Sequence, residues 1–199
     1  MRELVLASSS PRRRELLKQL GLNFDTLVYP VDESPPENKQ PISEVVETLA
    51  ERKALATARV LDGGLVIAAD TVVVWRDRVL GKPSDDEDAV KMLQCLQGDF
   101  HDVYTGLALV AAGTGKVLTG HEKTRVFFKT LSETEIRLYI ATGESKDKAG
   151  AYAVQGLAAV FVEKLEGCYT NVVGLPLARL ATMLKYFGYD MFKKWSALS

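Results

Sequence analysis

The sequence predicts an α/β fold built on a mixed β-sheet flanked by helices, and three observations predict it. Two short apolar runs, Leu4–Leu6 and Leu65–Ala69, read as buried strands, the second buried on both faces. Strand and helix signals then alternate through most of the chain, the pattern of crossover connections between parallel strands. One stretch, His101 to Lys129, is β throughout and folds back at Gly113-Thr114-Gly115, which adds an antiparallel hairpin.

Taken in order, the first strand leads to Ser10, a good N-cap residue, and Pro11, which suits the first helical position. Leu16, Leu17 and Leu20 give that helix one apolar face, and Gly21 stops it. Val31 to Pro41 is a polar, proline-bearing loop carrying Asp32 and Glu33. A helix is expected over about Ser43–Leu61, with Ile42, Val46, Leu49, Ala56 and Val60 at spacings of three and four. Lys53 falls on that apolar stripe, either snorkelling past the core edge or aimed into a site. The second apolar run ends at Asp70-Thr71 and resumes as Val72–Trp75. Arg76-Asp77-Arg78 then turns the chain back through Val79-Leu80 to Gly81-Lys82-Pro83. Ser84 and Glu87 have capping-box spacing and open a helix ending near Gly98, with Val90, Leu93 and Leu96 inward. After the hairpin, Ser132 and Glu135 form a second capping box for a helix ending near Gly143. Asp147–Gly156 is a glycine-bearing loop. Strands are expected around Ala158–Val162 and Tyr169–Val173, and a helix over Pro176–Phe187. The tail from Asp190 reads as frayed or loosely packed. No linker divides the 199 residues, so one domain is expected over 1–199. The hairpin and its helix, about 101–145, form a candidate second lobe, and a cleft between lobes would suit a ligand.

Composition narrows the partners. The chain is 47% hydrophobic and 26% charged, enough for a substantial core. Its 26 acidic and 25 basic residues leave a net charge of −1, which disfavours nucleic acid held by its backbone. Cys95 and Cys168 lie far apart without metal-ligand spacing. No run is long enough to cross a membrane and no signal segment opens the sequence, so a cytoplasmic protein is expected.

Three features carry chemistry. Arg12, Arg13 and Arg14 occupy the first turn of a helix, where the macrodipole is positive and acids are normally preferred. Either they splay into solvent, or an anion lies against the helix end, where N–H groups, serine hydroxyls and guanidiniums converge on it. Asp70 closes an apolar strand, and in open α/β sheets ligands gather at the carboxyl ends of strands. Glu33 is a candidate second acid, and two such carboxylates with phosphate oxygens suit Mg²⁺. The third feature is Lys148–Gly156, whose small residues allow close approach to a planar ligand and whose Gln155 has a donor end and an acceptor end. Neither GxxxxGK[ST] nor GxGxxG occurs, which disfavours P-loop and dinucleotide-binding readings. His101 and His121 read as structural or surface residues.

Together these segments resemble the Maf family of nucleoside triphosphate pyrophosphatases. The matching pieces are Ala7-Ser8-Ser9-Ser10-Pro11-Arg12-Arg13, Glu33, Glu51-Arg52-Lys53-Ala54, Ala69-Asp70-Thr71, Gly81-Lys82-Pro83, Asp147–Gly156 and Asn171–Pro176. The resemblance implies a fold like that of inosine triphosphate pyrophosphatases, two lobes with a central cleft, and a homodimer. It implies that Asp70 is the proton acceptor and that Arg12, Thr71 and Gln155 set substrate specificity. The 7-methyl-GTP branch carries tryptophan, glutamine and glutamate at those three places, whereas this chain has the combination associated with dTTP/UTP pyrophosphatases.

The reaction expected on that basis is attack of water on the α-phosphorus, giving nucleoside monophosphate and pyrophosphate. The substrates would be dTTP and UTP, with modified pyrimidine nucleotides as further candidates, in housecleaning of the nucleotide pool. Ser8, Ser10, Arg13, Lys53 and Lys82 are expected to bind phosphates. Glu33 and Asp70 are expected to share a divalent cation, Mg²⁺ or Mn²⁺, with the substrate. Asp70 would either take the proton or hold the metal. The alternative is a non-enzymatic nucleotide-sensing regulator of septation or growth.

Overall fold

The computed structural model describes residues 4–36 and 40–195. Strand β1 (Leu4–Leu6) leads into α1 (Pro11–Gln19), and β2 (Asp25–Thr26) into α2 (Ile42–Ala58). Next come β3 (Leu65–Trp75), β4 (Arg78–Leu80), α3 (Asp86–Leu96), β5 (Phe100–Ala111) and β6 (Lys116–Phe128). They are followed by α4 (Glu133–Ala141), 3-10 turns at Ala149–Ala151 and Leu157–Phe161, β7 (Val162–Glu166), α5 (Tyr169–Val173), α6 (Leu177–Tyr186) and α7 (Met191–Trp195). Among the described residues the strands form one sheet in the order β2-β1-β3-β5-β6-β7, with β4 paired to β3. β1 is parallel to β2 and β3, whereas β4 is antiparallel to β3 and β7 to β6. The sheet is therefore mixed, as expected.

The chain divides into two compact units. One takes the described residues up to Asp70, then Thr105–Glu122 and those from Gly174; the other takes Thr71–Tyr104 and Lys123–Val173.

In the first unit the core is built from small residues. Ala50, Ala54 and Ala58 of α2 pack on Val5, Ala7, Val66, Ala68, Ala108 and Val110. The fit is closest at Gly106, where a Cβ would stand 2.2 Å from the backbone carbonyl of Val46, so only glycine lets helix and strand meet there. The alternate strand residues Leu4, Leu6, Leu65, Ile67, Leu107 and Leu109 are buried on the opposite face. Burial on both faces explains the continuous apolar run at 65–69. The buried side of α2 runs through Val46, Leu49, Ala50, Ala54, Thr57 and Ala58. The expected stripe therefore holds at Val46 and Leu49, but Val60 lies past the helix end and is exposed.

In the second unit α3 packs against α4 and the Ala149–Ala151 turn. Ser132 makes its full capping box with Glu135. On α3 the N-cap is Asp85, which accepts from the Asp88 N–H at 2.7 Å, while Asp88 accepts from the Ser84 N–H at 2.9 Å. The start thus falls one residue later than the Ser84 pattern predicts, with Asp85, an equally good N-cap type, taking the role.

Four further expectations are corrected. β3 is continuous through Asp70-Thr71, so the carboxylate sits within a strand rather than at its end. Leu157–Phe161 is a 3-10 turn and the strand begins at Val162; Tyr169–Val173 is helical. The apolar run at 157–161 does not by itself distinguish strand from short helix. The two-residue β2 carried too little pattern to be predicted. The tail forms α7, where Met191 is buried and the Trp195 indole donates to the Leu20 carbonyl at 3.1 Å.

Candidate active site

The parallel register fixes where the polar groups emerge. Leu6 stands opposite Ile67, and the Ala7 N–H donates to the Ile67 carbonyl at 2.8 Å. The chain leaving β1 therefore runs beside the segment of β3 that carries Asp70. Ser8 and the first turn of α1 follow at once, so the arginine-bearing helix start and Asp70 belong to the same region.

Ser8 is buried, and its hydroxyl accepts from the Ser10 N–H at 3.2 Å and from Arg13 Nη1 at 3.3 Å. Arg13 Nε donates to the Gly174 carbonyl at 2.7 Å. Burial pulls the Arg13 pKa below its ordinary value; Asp70 and Glu33 oppose that shift and Arg12 adds to it. A guanidinium stays charged even so. The triplet does not act as one: Arg12 and Arg13 are half-buried, while Arg14 is exposed. Ser10 stands at the N-cap position as expected, but its side chain makes no capping bond; Ser8 receives the Ser10 N–H instead.

Lys53 is aimed into this region rather than snorkelling. Its ammonium lies 2.7 Å from Asp70 Oδ1 and 3.0 Å from Glu33 Oε1. The Lys53 and Asp70 side chains are only 16% and 14% exposed, so water screens this pair far less than it screens Glu33, which is 65% exposed. One cation thus draws a strand carboxylate and a loop carboxylate together. Neighbouring Arg52 steadies the same loop, donating to the Ser34 carbonyl at 2.9 Å. Ser8, Arg13, Glu33, Lys53 and Asp70 are brought together within the first unit, with Arg12 close enough to bear on Arg13 and Ser10 bonded to Ser8.

Thr71, Lys82 and Gln155 belong to the second unit. Thr71 follows Asp70 within β3. Lys82 and Gln155 are exposed. The loop holding Lys82 is tied to the glycine-bearing loop, since the Gly150 N–H donates to the Gly81 carbonyl at 3.0 Å. Gly150 has φ +69°, a backbone conformation that favours glycine, and a Cβ there would also press on the Val73 side chain at 3.1 Å. His101 is buried, with its Nε2 2.8 Å from the Tyr152 hydroxyl, which fits the structural reading. His121, half-exposed, pairs with Glu47 at 2.6 Å.

Sequence reasoning gave no role to Gly174, whose carbonyl holds Arg13. The available signal was a glycine just before Leu175-Pro176, and in the structure it takes φ +117°. Among the described residues no group of three or more His, Cys, Asp and Glu side chains is arranged to hold a metal. Glu33 and Asp70 supply two hard oxygen donors that already converge on one cation, Lys53. That donor set fits a divalent ion completed by ligand oxygens. No helix among the described residues is long and apolar enough to cross a membrane.

This chain is similar to known proteins over nearly its whole length. A protein named dTTP/UTP pyrophosphatase from Pelotomaculum thermopropionicum is 64% identical over 191 residues, 96% of this chain and 100% of its own. One of the same name from Desulforamulus reducens is 53% identical over 191 residues, again 96% and 100%. Among solved structures, a HAM1 protein from Coxiella burnetii aligns over 94% of this chain and 100% of its own, at 17% identity and a TM-score of 0.47. The family model described as Maf-like protein matches residues 3–187, which takes in β1 through α6, and the chain therefore belongs to the Maf family.

Proposed function

We propose that this protein hydrolyses nucleoside triphosphates at the α-phosphorus, releasing nucleoside monophosphate and pyrophosphate, with dTTP and UTP as preferred substrates. One observation carries the chemistry: Arg13, Lys53, Asp70 and Glu33 gather where β1 and β3 deliver a helix start and a carboxylate to one place. The pyrimidine preference is supported by the relatives named dTTP/UTP pyrophosphatase, two of them 64% and 53% identical, and by Arg12, Thr71 and Gln155 at the positions that separate the branches.

A triphosphate needs cations that bind its oxygens without neutralising the attacking water. Arg13 supplies a fixed guanidinium, oriented through Gly174 and Ser8, and the Ser8 and Ser10 hydroxyls add neutral donors. Lys82, exposed in its loop, offers a further point charge. Asp70 takes the proton from the attacking water. With Oδ1 engaged by Lys53, the proton goes to Oδ2. Lys53 keeps that carboxylate oriented and then exchanges part of its contact for phosphate. Glu33, joined by Asp70 once Lys53 has turned to phosphate, would hold a divalent cation, Mg²⁺ or Mn²⁺, which when bound neutralises charge on the phosphate oxygens. Pyrophosphate leaves with its charge compensated by the same cations. A cytoplasmic location and a homodimer belong to this reading, as does a housecleaning role that removes unwanted pyrimidine nucleotides.

The test is a panel of standard and modified triphosphates with Mg²⁺, assaying pyrophosphate against orthophosphate. Pyrophosphate from dTTP and UTP ahead of the other substrates is expected. Orthophosphate alone would move attack to the γ-phosphorus, and tight binding without turnover would make the protein a nucleotide sensor.

A further inference from the structure

Gln155 stands at the corner of a tight turn. The Gly156 N–H donates to the Ala153 carbonyl at 3.0 Å, so Gln155 is the third of four turn residues. Ala153 and Val154 are buried and Gln155 is exposed. The turn is anchored in front by Tyr152, whose buried ring packs edge-on against Phe128 at 4.8 Å and whose hydroxyl meets His101.

Behind Gln155 the anchor is one carboxylate. Glu144 Oε2 accepts from the Leu157 N–H at 2.9 Å, and Oε1 accepts from the Ala158 N–H at 3.3 Å and the Tyr139 hydroxyl at 3.0 Å. These two N–H groups open the 3-10 turn at Leu157–Phe161, whose N-cap residue, Gly156, has no side chain to cap them. Glu144 supplies the cap from thirteen residues away in sequence. It sits so close that a Cβ on Gly156 would fall 2.2 Å from Oε2. Glycine at 156 and glutamate at 144 are thus parts of one fitting. Glu144 is itself fixed by its place just after α4: Gly143 turns the chain at φ +77°, and the Glu144 N–H donates to Thr142 Oγ1 at 3.3 Å. Tyr139 also packs on Phe161, with ring centroids 5.1 Å apart, which ties α4 to the far end of the same 3-10 turn.

We infer that Glu144 is a positioning residue for base selection: it clips the backbone directly after Gln155 and so fixes the direction in which the Gln155 amide is presented. The inference rests on the reading of Gln155 given above. A carboxylate suits the task because it accepts from two successive N–H groups at once and locks both the position and the rotation of the turn.

The experiment is a double-mutant cycle on base preference, read as the ratio of kcat/KM for dTTP to that for dCTP. Glu144→Ala is expected to lower this ratio about tenfold in the wild-type background and to change it less than about twofold in a Gln155→Ala background. An equal drop in both backgrounds overturns the inference, because Glu144 would then act on the fold at large. If Glu144→Ala does not fold, Glu144→Gln runs the same cycle. An enzyme that releases pyrophosphate but keeps its base ratio in Gln155→Ala overturns this inference and leaves the hydrolase reading standing. Should the wild type hydrolyse no triphosphate, the hydrolase reading fails separately, and hydrogen exchange then judges the clip. Faster exchange at Leu157 and Ala158 in Glu144→Gln supports it, and unchanged exchange there overturns it.

Discussion

Two groups of candidate site residues, one in each unit, are held by different means. In the first, charges are held by charges: Lys53 bridges Asp70 and Glu33, and Arg13 is clamped by Gly174 and Ser8. In the second, the loop that carries Gln155 is held by packed rings and by hydrogen bonds to one carboxylate. There His101, Phe128, Tyr152, Phe161 and Tyr139 form a chain of edge-on rings 4.8 to 6.1 Å apart, closed by the Glu144 clip. The difference follows from the ligand parts proposed for each. Phosphates call for compensating charge that can shift from carboxylate to substrate. A planar base calls for a wall that does not move.

The comparison breaks most sharply at Asp70. Asp70→Asn keeps the size of the side chain and removes the proton acceptor, so kcat for pyrophosphate release should fall by about a thousandfold or more. The variant should still fold, since Lys53 retains Glu33. Near-normal turnover would remove Asp70 from the chemistry.

The next effect is one of stability and lies in the second unit. Burial pushes the His101 pKa down from 6.5 to about 4. Because the folded value is depressed, the unfolded chain takes up the proton first as pH falls. Stability from this residue is therefore intact above pH 6.5 and drains away toward pH 4, by about 3 kcal/mol in all. Denaturant melts of wild type and His101→Gln between pH 7 and pH 4.5 should show a steeper loss in the wild type. Parallel pH dependences would mean that His101 is not held neutral.

Arg13 comes third. Its truncation to alanine should lower kcat/KM about ten- to hundredfold, the worth of charge-assisted bonds to phosphate. Arg13→Lys should rescue little of this, because an ammonium cannot donate to Gly174 and also present a planar fork. Full rescue by lysine would show that a point charge suffices.

Much of this arrangement was legible in the sequence, and particular residues show where legibility stopped. The arginine triplet stood out because it defied the helix dipole, and Asp70 because it followed five fully buried apolar residues. The bridge from Lys53 to Glu33 and Asp70 was not legible. Sequence spacing relates a helix residue only to its own helix, whereas this contact is made across α2, a loop and β3. Glu144 escaped for a different reason: a glutamate after a helix-ending glycine looks solvated until the distant N–H groups it caps are known. The helical Tyr169–Val173 segment was misread because its β-branched residues favour strands, and tertiary packing overrode that preference.

The smallest effect sets two serines against each other. Both stand at helix N-caps, Ser10 on α1 in the first unit and Ser132 on α4 in the second. Ser132 accepts from the Glu135 N–H at 3.2 Å, and its own N–H donates to Glu135 at 2.7 Å, so Ser132→Ala should cost about 1 kcal/mol of stability and leave kcat/KM unchanged. Ser10 makes no capping bond with its side chain, so Ser10→Ala should change stability by less than about 0.5 kcal/mol. Yet if its hydroxyl serves phosphate, the same substitution should lower kcat/KM several-fold. Paired thermal melts and pyrophosphate assays on the two variants measure both axes. An outcome in which Ser10→Ala costs stability and not turnover would make the start of α1 an ordinary capped helix and return its hydroxyl to a structural role.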